Sequence, residues 1–279
     1  MIKPILSNNG YTILKKNISA KNLIKLKEDL TVTPKTNQDY GEKPESFPVY
    51  VENKDSIIIP RYFGTKLYCE PTKKFDTKSS VVDFEFMGKL RGTQPEIAQF
   101  ALDKIRSEGG GLLQLHTGYG KTTLALYLAS VLKLKTLILV HKTFLQDQWY
   151  DRIKQFTTAS IGMIRQKKID IDKDIVIGML QSVSMIDYDP AIFKDFDLLI
   201  VDECHHTGSK VFSRALLKVC PKYTIGLSAT PIRNDGLTKV IKWFLGETLV
   251  KVERKGDNAV YVKSFEYKSN DILFAEKKR

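Results

Sequence analysis

The sequence predicts an α/β fold in which helices flank a parallel β-sheet, preceded by a small strand-rich module. After about residue 86, apolar segments of strand length alternate with amphipathic helical stretches, the pattern of a parallel sheet buried on both faces. Before that point, prolines between residues 34 and 71 separate short β-prone pieces. We therefore expect a strand-rich module at residues 1–86, an α/β domain at residues 87–250 and a C-terminal extension at residues 251–279.

The composition indicates a globular protein and favours an anionic partner. The 279 residues are 42% hydrophobic, enough for a buried core. The net charge of +12 favours an anionic partner, nucleic acid before a membrane surface, although a lysine-rich soluble surface is an equal alternative. The 3 cysteines are far apart and support neither a disulfide framework nor a paired zinc site. This cysteine usage indicates a reducing, intracellular setting, and we expect a nuclear or cytoplasmic location. No run approaches the roughly 18 apolar residues of a membrane span, so we expect no membrane partner.

The elements follow from local pattern. In the first region we expect strands at 11–14, 47–51 and 56–59 and a helix at 19–30. In the second we expect strands at 111–115, 136–140, 174–179, 198–202 and 223–228, with helices at 121–132 and 143–156. The helix at 143–156 places Phe144, Trp149 and Ile153 on its apolar side. An amphipathic stretch at 237–244 and β-prone pieces near 248–252 and at 259–267 complete the chain.

A glycine-containing loop between the strand at 111–115 and the following helix is suited to binding phosphate. Its glycines allow backbone N–H groups to approach phosphate oxygens, and the helix N-terminus adds a favourable dipole. Lys121 would neutralise the β- and γ-phosphates and the Thr122 hydroxyl would bind Mg²⁺. Leu115 stands where the usual phosphate-loop pattern has glycine, and a glycine turn opening a structural helix is the alternative. The loop reads Leu115, His116, Thr117, Gly118, Tyr119, Gly120, Lys121, Thr122, Thr123.

Two carboxylates end the apolar strand at 198–202. Burying Asp202 and Glu203 there costs desolvation energy unless a cation or hydrogen bonds satisfy them. A nearby metal supplies the reason: Asp202 holds Mg²⁺ and Glu203 orients or deprotonates the attacking water. Capping of the next helix is the alternative. Because ligands bind beyond the carboxyl ends of parallel strands, we expect this pair, the phosphate loop and the segment from Ser228 to converge on one site.

Three ordered motifs resemble those of the superfamily 2 helicases and translocases. They are the phosphate loop, the box Asp202-Glu203-Cys204-His205 and the link Ser228-Ala229-Thr230-Pro231. The run from Gly226 to Gly236 is similar to the XPB and UvsW branch, which includes helicases of large DNA viruses. The resemblance covers roughly residues 90–249 and implies a RecA-like domain that binds ATP and Mg²⁺. The isoleucine-, lysine- and asparagine-rich composition suits an AT-rich genome, and a viral source, with location in the virion, is one alternative.

The resemblance assigns further roles by position. Arg91 and Gln94 would lie near the adenine, with an ordinary polar helix start as the alternative. The segments His141-Lys142-Thr143 and Gln181-Ser182 would bind the nucleic-acid backbone, which positions a strand without reading its sequence. Strand-end turn chemistry is the alternative for both. The resemblance adds Arg233 to the nucleic-acid contacts.

The 4 histidines all lie in these segments, but their spacing with Cys204 does not fit a tetrahedral zinc set. We expect His205 to link the carboxylates to Ser228, Ala229 and Thr230 through hydrogen bonds, because hydroxyls both donate and accept. A polar turn after a buried strand is the alternative.

The implied function is an ATP-dependent nucleic-acid helicase or translocase, with DNA favoured over RNA. Superfamily 2 motors bind ATP between two RecA-like domains, and no glutamine- and arginine-rich motif of a second domain follows Pro231. Residues 251–279 are therefore interpreted as an extension or linker toward a second domain supplied in cis or in trans. Activity of these 279 residues alone stays open. Alternatives are a non-motor binding module, a split-motor subunit, an RNA helicase and, least favoured, a phosphate-loop kinase.

Overall fold

The structure, a computed structural model, describes residues 3–8, 10–35, 44–68, 70–71, 73–74, 80–205, 209–230 and 235–254. Arg233, Pro231 and the β-prone piece at 259–267 lie outside these described residues.

The first region is a small sheet module with two helices. Its elements are β1 (Ile5–Ser7), β2 (Gly10–Leu14), α1 (Ala20–Asp29), β3 (Thr31–Val32), β4 (Phe47–Pro48), β5 (Val51–Glu52), β6 (Ser56–Ile59), α2 (Arg61–Leu67) and β7 (Lys73–Lys74). The strands form a sheet of order β5-β6-β2-β1-β7, and β3 pairs separately with β4. The expected helix is confirmed, and the Ser19 side chain caps it by accepting a hydrogen bond from the Asn22 amide.

The expected single strand at 47–51 is wrong. The chain bends at residues 49–50, so that β4 pairs with β3 while β5 pairs with β6. The Val49 amide donates to the Leu30 carbonyl at 2.8 Å, which fixes the bend against the end of α1. Pro48 lacks an amide hydrogen, which also limits how far the first ladder can continue.

The second region is built on an eight-stranded sheet. Its strands are β8 (Gly110–Leu115), β9 (Thr136–Val140), β10 (Ile161–Arg165), β11 (Lys168–Asp170), β12 (Ile175–Met179), β13 (Leu198–Val201), β14 (Tyr223–Ser228) and β15 (Thr248–Val252). Their order is β11-β10-β12-β9-β13-β14-β8-β15. Every neighbouring pair is parallel except β10 with β11, which confirms the parallel α/β fold. The β10–β11 hairpin was not predicted.

Helices cover both faces of this sheet. They are α3 (Gln94–Glu108), α4 (Lys121–Leu132), α5 (Thr143–Phe156), α6 (Leu180–Met185), α7 (Ser209–Leu216) and α8 (Thr238–Leu245). Alternate strand residues face opposite sides, so Leu113 and Ile138 pack with α3, α4 and α5, while Leu112 and Leu139 pack with α7 and α8.

One side-chain expectation on α5 is wrong. Trp149 and Ile153 are buried as expected, but Phe144 is 61% exposed. The inward face of α5 repeats every four residues through Leu145, Trp149 and Ile153, and all three are buried. Phe144 precedes that row by one residue, which rotates its side chain by about 100° toward solvent.

The strand-rich module packs against the α7 and α8 side of the large sheet and shares its core, which includes Ile13, Ile57, Leu199 and Leu245. Polar contacts also join the two regions: Arg61 donates to the Lys222 carbonyl at 2.6 Å, and the Tyr62 hydroxyl lies 3.0 Å from that of Thr224. The Phe63 and Trp243 rings meet edge to face at 5.0 Å. These contacts give the module a defined position on the sheet.

Within the described part of the chain, no helix is long and apolar enough to cross a membrane.

Candidate active site

The predicted motifs meet at one edge of the large sheet. Strands β13, β14 and β8 are adjacent and parallel, so their carboxyl ends lie side by side. The phosphate loop follows β8, the carboxylates follow β13, and Ser228 is the last residue of β14. The expectation that the three motifs converge is confirmed for their described residues.

The phosphate loop has the backbone that a phosphate site needs. Gly118 and Gly120 have φ angles of +84° and +93°, a region that side-chain-bearing residues rarely adopt. A Cβ on Gly120 would also lie 2.7 Å from the Gln94 side-chain nitrogen. Helix α4 begins at Lys121, and the amides of its first turn have no acceptor within the helix. These amides and the helix dipole favour an anion at this loop.

Lys121 connects the loop to the carboxylates. Its Nζ lies 3.3 Å from Glu203 Oε1 and 3.5 Å from the carbonyl oxygen of Leu115. Leu115, the residue that replaces the usual glycine, is a buried strand end whose carbonyl faces the lysine. The ammonium is therefore held between the phosphate loop and Glu203, where a bound γ-phosphate could compete with the carboxylate for it.

Asp202 is a buried carboxylate with two protein donors. Its Oδ2 accepts a 2.8 Å hydrogen bond from the Trp149 indole, and its Oδ1 accepts from the Glu203 amide at 2.9 Å. Burial raises the pKa of the Asp202 carboxyl, and the Trp149 hydrogen bond acts in the opposite direction. Sequence reasoning placed Trp149 on the apolar face but missed this contact, although a buried indole N–H usually requires an acceptor.

Glu203 has a strained backbone and an incompletely satisfied side chain. Its φ of +44° is uncommon for a residue other than glycine and costs on the order of 1–3 kcal/mol. Among the described residues, its buried Oε2 accepts no hydrogen bond. His205 Nδ1 lies 3.4 Å away, but that ring nitrogen is closer to Ser228 Oγ, at 2.8 Å. The shorter contact is the hydrogen bond, and Oε2 is left with capacity for a water molecule.

His205 and Ser228 make the contact that was expected between the second and third motifs. Ser228 is fully buried at the end of β14, so its hydroxyl orientation is constrained by the His205 ring. Ala229 and Thr230 follow at increasing exposure. The His205–Ser228 hydrogen bond joins the second motif to the end of β14, whereas among the described residues Glu203 Oε2 accepts no hydrogen bond from the His205 ring, 3.4 Å away. Use of this contact as a relay from the carboxylates stays a prediction.

Gln94 ties the start of α3 to the phosphate loop. Its amide nitrogen donates to the Tyr119 carbonyl at 2.6 Å, and its amide oxygen accepts from the Arg91 amide at 2.8 Å. The Thr93 and Tyr119 hydroxyls lie 2.9 Å apart. The Gln94 side chain therefore fixes the loop, and the adenine contacts of Gln94 and Arg91 stay predictions.

A cleft of about 760 Å³ joins these groups. That size is within the range of small-molecule sites. It is lined by Arg91, Gln94, the whole loop from His116 to Thr123, Asp202 and Glu203. Five further lining residues were not predicted to lie at the nucleotide site: Lys89, Leu145, Gln148, Arg152 and Phe156. The Thr122 hydroxyl and the Asp202 carboxylate are the oxygen ligands that Mg²⁺ prefers, so the residues fit a magnesium nucleotide.

The predicted nucleic-acid segments lie on the neighbouring strands at the same edge. The Gln181 amide donates to the His141 carbonyl at 2.8 Å, which joins the ends of β9 and β12. Lys142 is exposed, with its Nζ 5.8 Å from the centre of the exposed Phe144 ring, and Thr143 begins α5. Ser182 Oγ accepts a 3.3 Å hydrogen bond from the Gln166 amide in the β10–β11 turn. The structure thus brings together both segments, while Arg233 lies outside the described residues.

The profile of the family described as "Type III restriction enzyme, res subunit" matches residues 87–233, more than half of the chain. A protein of Acanthamoeba polyphaga mimivirus, named as an ATP-dependent RNA helicase, is 38% identical over 97% of this chain. The match covers 53% of that relative, so the chain spans about half its length. The DNA 3'-5' translocase XPB2 of Sulfurisphaera tokodaii is 30% identical over 68% of this chain and 42% of its own length.

Among solved structures, the UvsW helicase of bacteriophage T4 is similar with a TM-score of 0.60 and 17% identity. The similarity covers 88% of this chain and 98% of that chain. At this identity the likeness concerns the fold.

Proposed function

The chain belongs to the family of the type III restriction enzyme res subunit, among the superfamily 2 helicases, and from this premise we propose that it uses ATP to move along or unwind DNA. The observation that carries the proposal is the meeting of Lys121, Asp202, Glu203 and the His205–Ser228 pair at one sheet edge. The named activity of the XPB2 relative supports DNA as the substrate.

The proposed mechanism assigns each step to a residue. The loop amides and Lys121 bind the phosphates, and the phosphate charge draws the Lys121 ammonium away from Glu203. Glu203 then orients the water that attacks the γ-phosphorus and takes up its proton, while the bond from that phosphorus to the β–γ bridging oxygen breaks and ADP leaves. Thr122 and Asp202 would hold Mg²⁺, which when bound neutralises charge on the β- and γ-phosphates. His205 and Ser228 carry the change at the carboxylates to the segment after β14.

The contacts to nucleic acid belong to the same proposal. We assign His141, Lys142, Thr143, Gln181 and Ser182 to binding of the sugar–phosphate backbone. The residue composition supports contacts that hold a strand without reading its bases, since amide, hydroxyl and ammonium groups all suit phosphate oxygens.

We extend the proposal to the organisation of the chain. Residues 1–86 form an accessory module, residues 87–250 the RecA-like domain, and residues 251–279 lead toward a second RecA-like domain in cis or in trans. The relatives' greater length supports a second domain. Use of ATP and nucleic acid is consistent with a nuclear or cytoplasmic location.

Phosphate release from ATP tests the proposal. It is measured with Mg²⁺ alone and then with single-stranded DNA, duplex DNA and RNA of equal length. We expect stimulation by nucleic acid, largest with DNA. Turnover that is the same with and without every nucleic acid contradicts a motor function.

Two alternatives have distinct outcomes in the same assay. Stimulation by RNA alone favours an RNA helicase, which the name of the mimivirus relative supports. Binding of ATP and nucleic acid without turnover favours a binding module. Recovery of turnover when a second RecA-like domain is added in trans then indicates a split motor.

A further inference from the structure

The β10–β11 hairpin projects a group of cations from the edge that carries the candidate site. Strand β10 runs parallel to β12, with Ile164 opposite Gly178, so the hairpin turn lies at the carboxyl edge of the sheet. That turn holds Arg165, Lys167 and Lys168, all exposed. None of the nucleotide-site or predicted nucleic-acid residues lies in it.

Two of the three cations face each other at a cost to the fold. Arg165 and Lys168 are direct cross-strand partners, and like charges in that position destabilise a hairpin. Within the described ranges, Arg165, Lys167 and Lys168 form no ion pair. A polyanion laid across the turn would offset this repulsion.

The turn is held against the predicted nucleic-acid contacts. Gln166 adopts a left-handed φ of +51°, its amide donates to Ser182 Oγ, and its carbonyl accepts a 2.6 Å hydrogen bond from the Tyr188 hydroxyl. The neighbouring Gln181 is bonded to the His141 carbonyl. A connected row therefore runs from the turn, through the start of α6, to the start of α5.

We propose that the turn formed by residues 165–168 is a further binding site for the nucleic-acid backbone. Arg165, Lys167 and Lys168 would bind phosphates beyond those bound by His141–Thr143 and Gln181–Ser182, so the contact with nucleic acid would be longer. The inference rests on the proposed function, because it assumes that this edge receives nucleic acid. Guanidinium and ammonium groups bind phosphate without base contacts, so the site is independent of sequence.

Salt dependence of binding tests the site. The triple variant Arg165→Gln, Lys167→Gln, Lys168→Gln is compared with a control, Lys21→Gln, Lys25→Gln, Lys54→Gln. The control lysines are exposed on the strand-rich module, and both variants remove the same charge. Binding of a fluorescent single-stranded DNA of about 20 nucleotides is measured by anisotropy over a salt series.

We expect the hairpin variant to lower the slope of log Kd against log salt by about 0.7 for each lost phosphate contact, or roughly 2 in total. The control should keep the wild-type slope. Thermal denaturation should show the hairpin variant at least as stable as the wild type, since the Arg165–Lys168 repulsion is removed. Binding of a fluorescent ATP analogue should be unchanged in both.

An unchanged slope in the hairpin variant, or an equal loss in the control, overturns the site. Loss of binding to anionic vesicles with unchanged binding to DNA overturns it as well and assigns the turn to a membrane surface. Absence of nucleic-acid binding by the wild type contradicts the proposed function itself, whereas an unchanged slope with intact wild-type binding contradicts only the hairpin site.

Discussion

The carboxyl edge of the large sheet has two halves that differ in how their polar groups are satisfied. In the nucleotide half, at the ends of β8, β14 and β13, the key side chains are buried or partly buried and bonded to one another. In the half for which we propose nucleic-acid binding (the nucleic-acid half), at the ends of β9, β12 and β10, the cations of Lys142 and of the β10–β11 turn are exposed.

We propose that the difference follows from what each half would bind. Groups that act on a transferring phosphoryl must be fixed before the substrate arrives, because catalysis depends on preorganised charge. Burial of these groups is tolerable only when each has a partner. A surface that binds a flexible polyanion instead keeps its cations exposed to water. On binding, these cations contact the phosphates and release the counterions of the polyanion. Single substitutions in the nucleotide half should therefore cause large losses of ATP turnover. Substitutions in the nucleic-acid half should cause small losses of nucleic-acid affinity that depend on salt.

The largest effect is expected for Lys121→Ala. Loss of the ammonium removes the positive charge between the phosphate loop and Glu203, so ATP turnover should fall to background and binding of a fluorescent ATP analogue should weaken. Phosphate release and analogue titration measure the two effects. If the variant retains ATP turnover that is stimulated by nucleic acid, the assignment of the nucleotide half is wrong.

A Glu203→Gln variant separates chemistry from binding. The amide cannot accept the proton of the attacking water, so turnover should fall by about 10²–10⁴-fold. Binding of the ATP analogue should persist or tighten, because Lys121 loses its competing carboxylate. Rapid phosphate release by this variant, with normal nucleotide affinity, would exclude Glu203 as the base.

Trp149→Phe tests the hydrogen bond that positions Asp202. The ring stays while the N–H is lost, and removal of a group that orients a metal ligand costs about 10–100-fold in metal affinity. We expect the Mg²⁺ concentration for half-maximal turnover to rise by that factor. Thermal stabilisation by ADP with Mg²⁺ should also weaken, while that by ADP alone is kept.

The matched control for Trp149→Phe is Trp243→Phe. Trp243 packs on Phe63 at the seam with the strand-rich module, away from the cleft, so its replacement should leave the Mg²⁺ dependence unchanged. An equal shift in both variants would mean that the Trp149 effect is a general loss of stability.

The same division explains how far the sequence allowed prediction. Strands such as β9 and β14 were predicted to the residue, because apolar runs between turn residues have few alternative interpretations. Their order along the sheet then determined which motifs meet. The Trp149–Asp202 hydrogen bond and the Lys121–Glu203 ion pair depend on the positions of α5 and α4 relative to the sheet. Residue spacing in the sequence does not determine these positions.

Prediction was weakest in the nucleic-acid half. The β10–β11 hairpin was not predicted, because β10 buries only alternate residues and the three residues of β11 bury none, so the pair gives little periodic signal. Phe144 was assigned to the core because helical spacing was counted without fixing which residue leads the inward row.

The smallest effect is expected for Phe144→Ala, with Ile153→Ala as its matched control on the same helix. Ile153 is fully buried, so its truncation should lower the free energy of unfolding by about 2–5 kcal/mol. Phe144 is 61% exposed, so its loss should change that free energy by no more than about 0.5 kcal/mol. Urea denaturation of both variants measures the difference. If Phe144→Ala lowers the free energy of unfolding by more than about 2 kcal/mol, the ring is buried in the core. Because the ring lies in the first turn of α5 beside Lys142, that result would also mean that the exposed surface of the nucleic-acid half is smaller than the structure indicates.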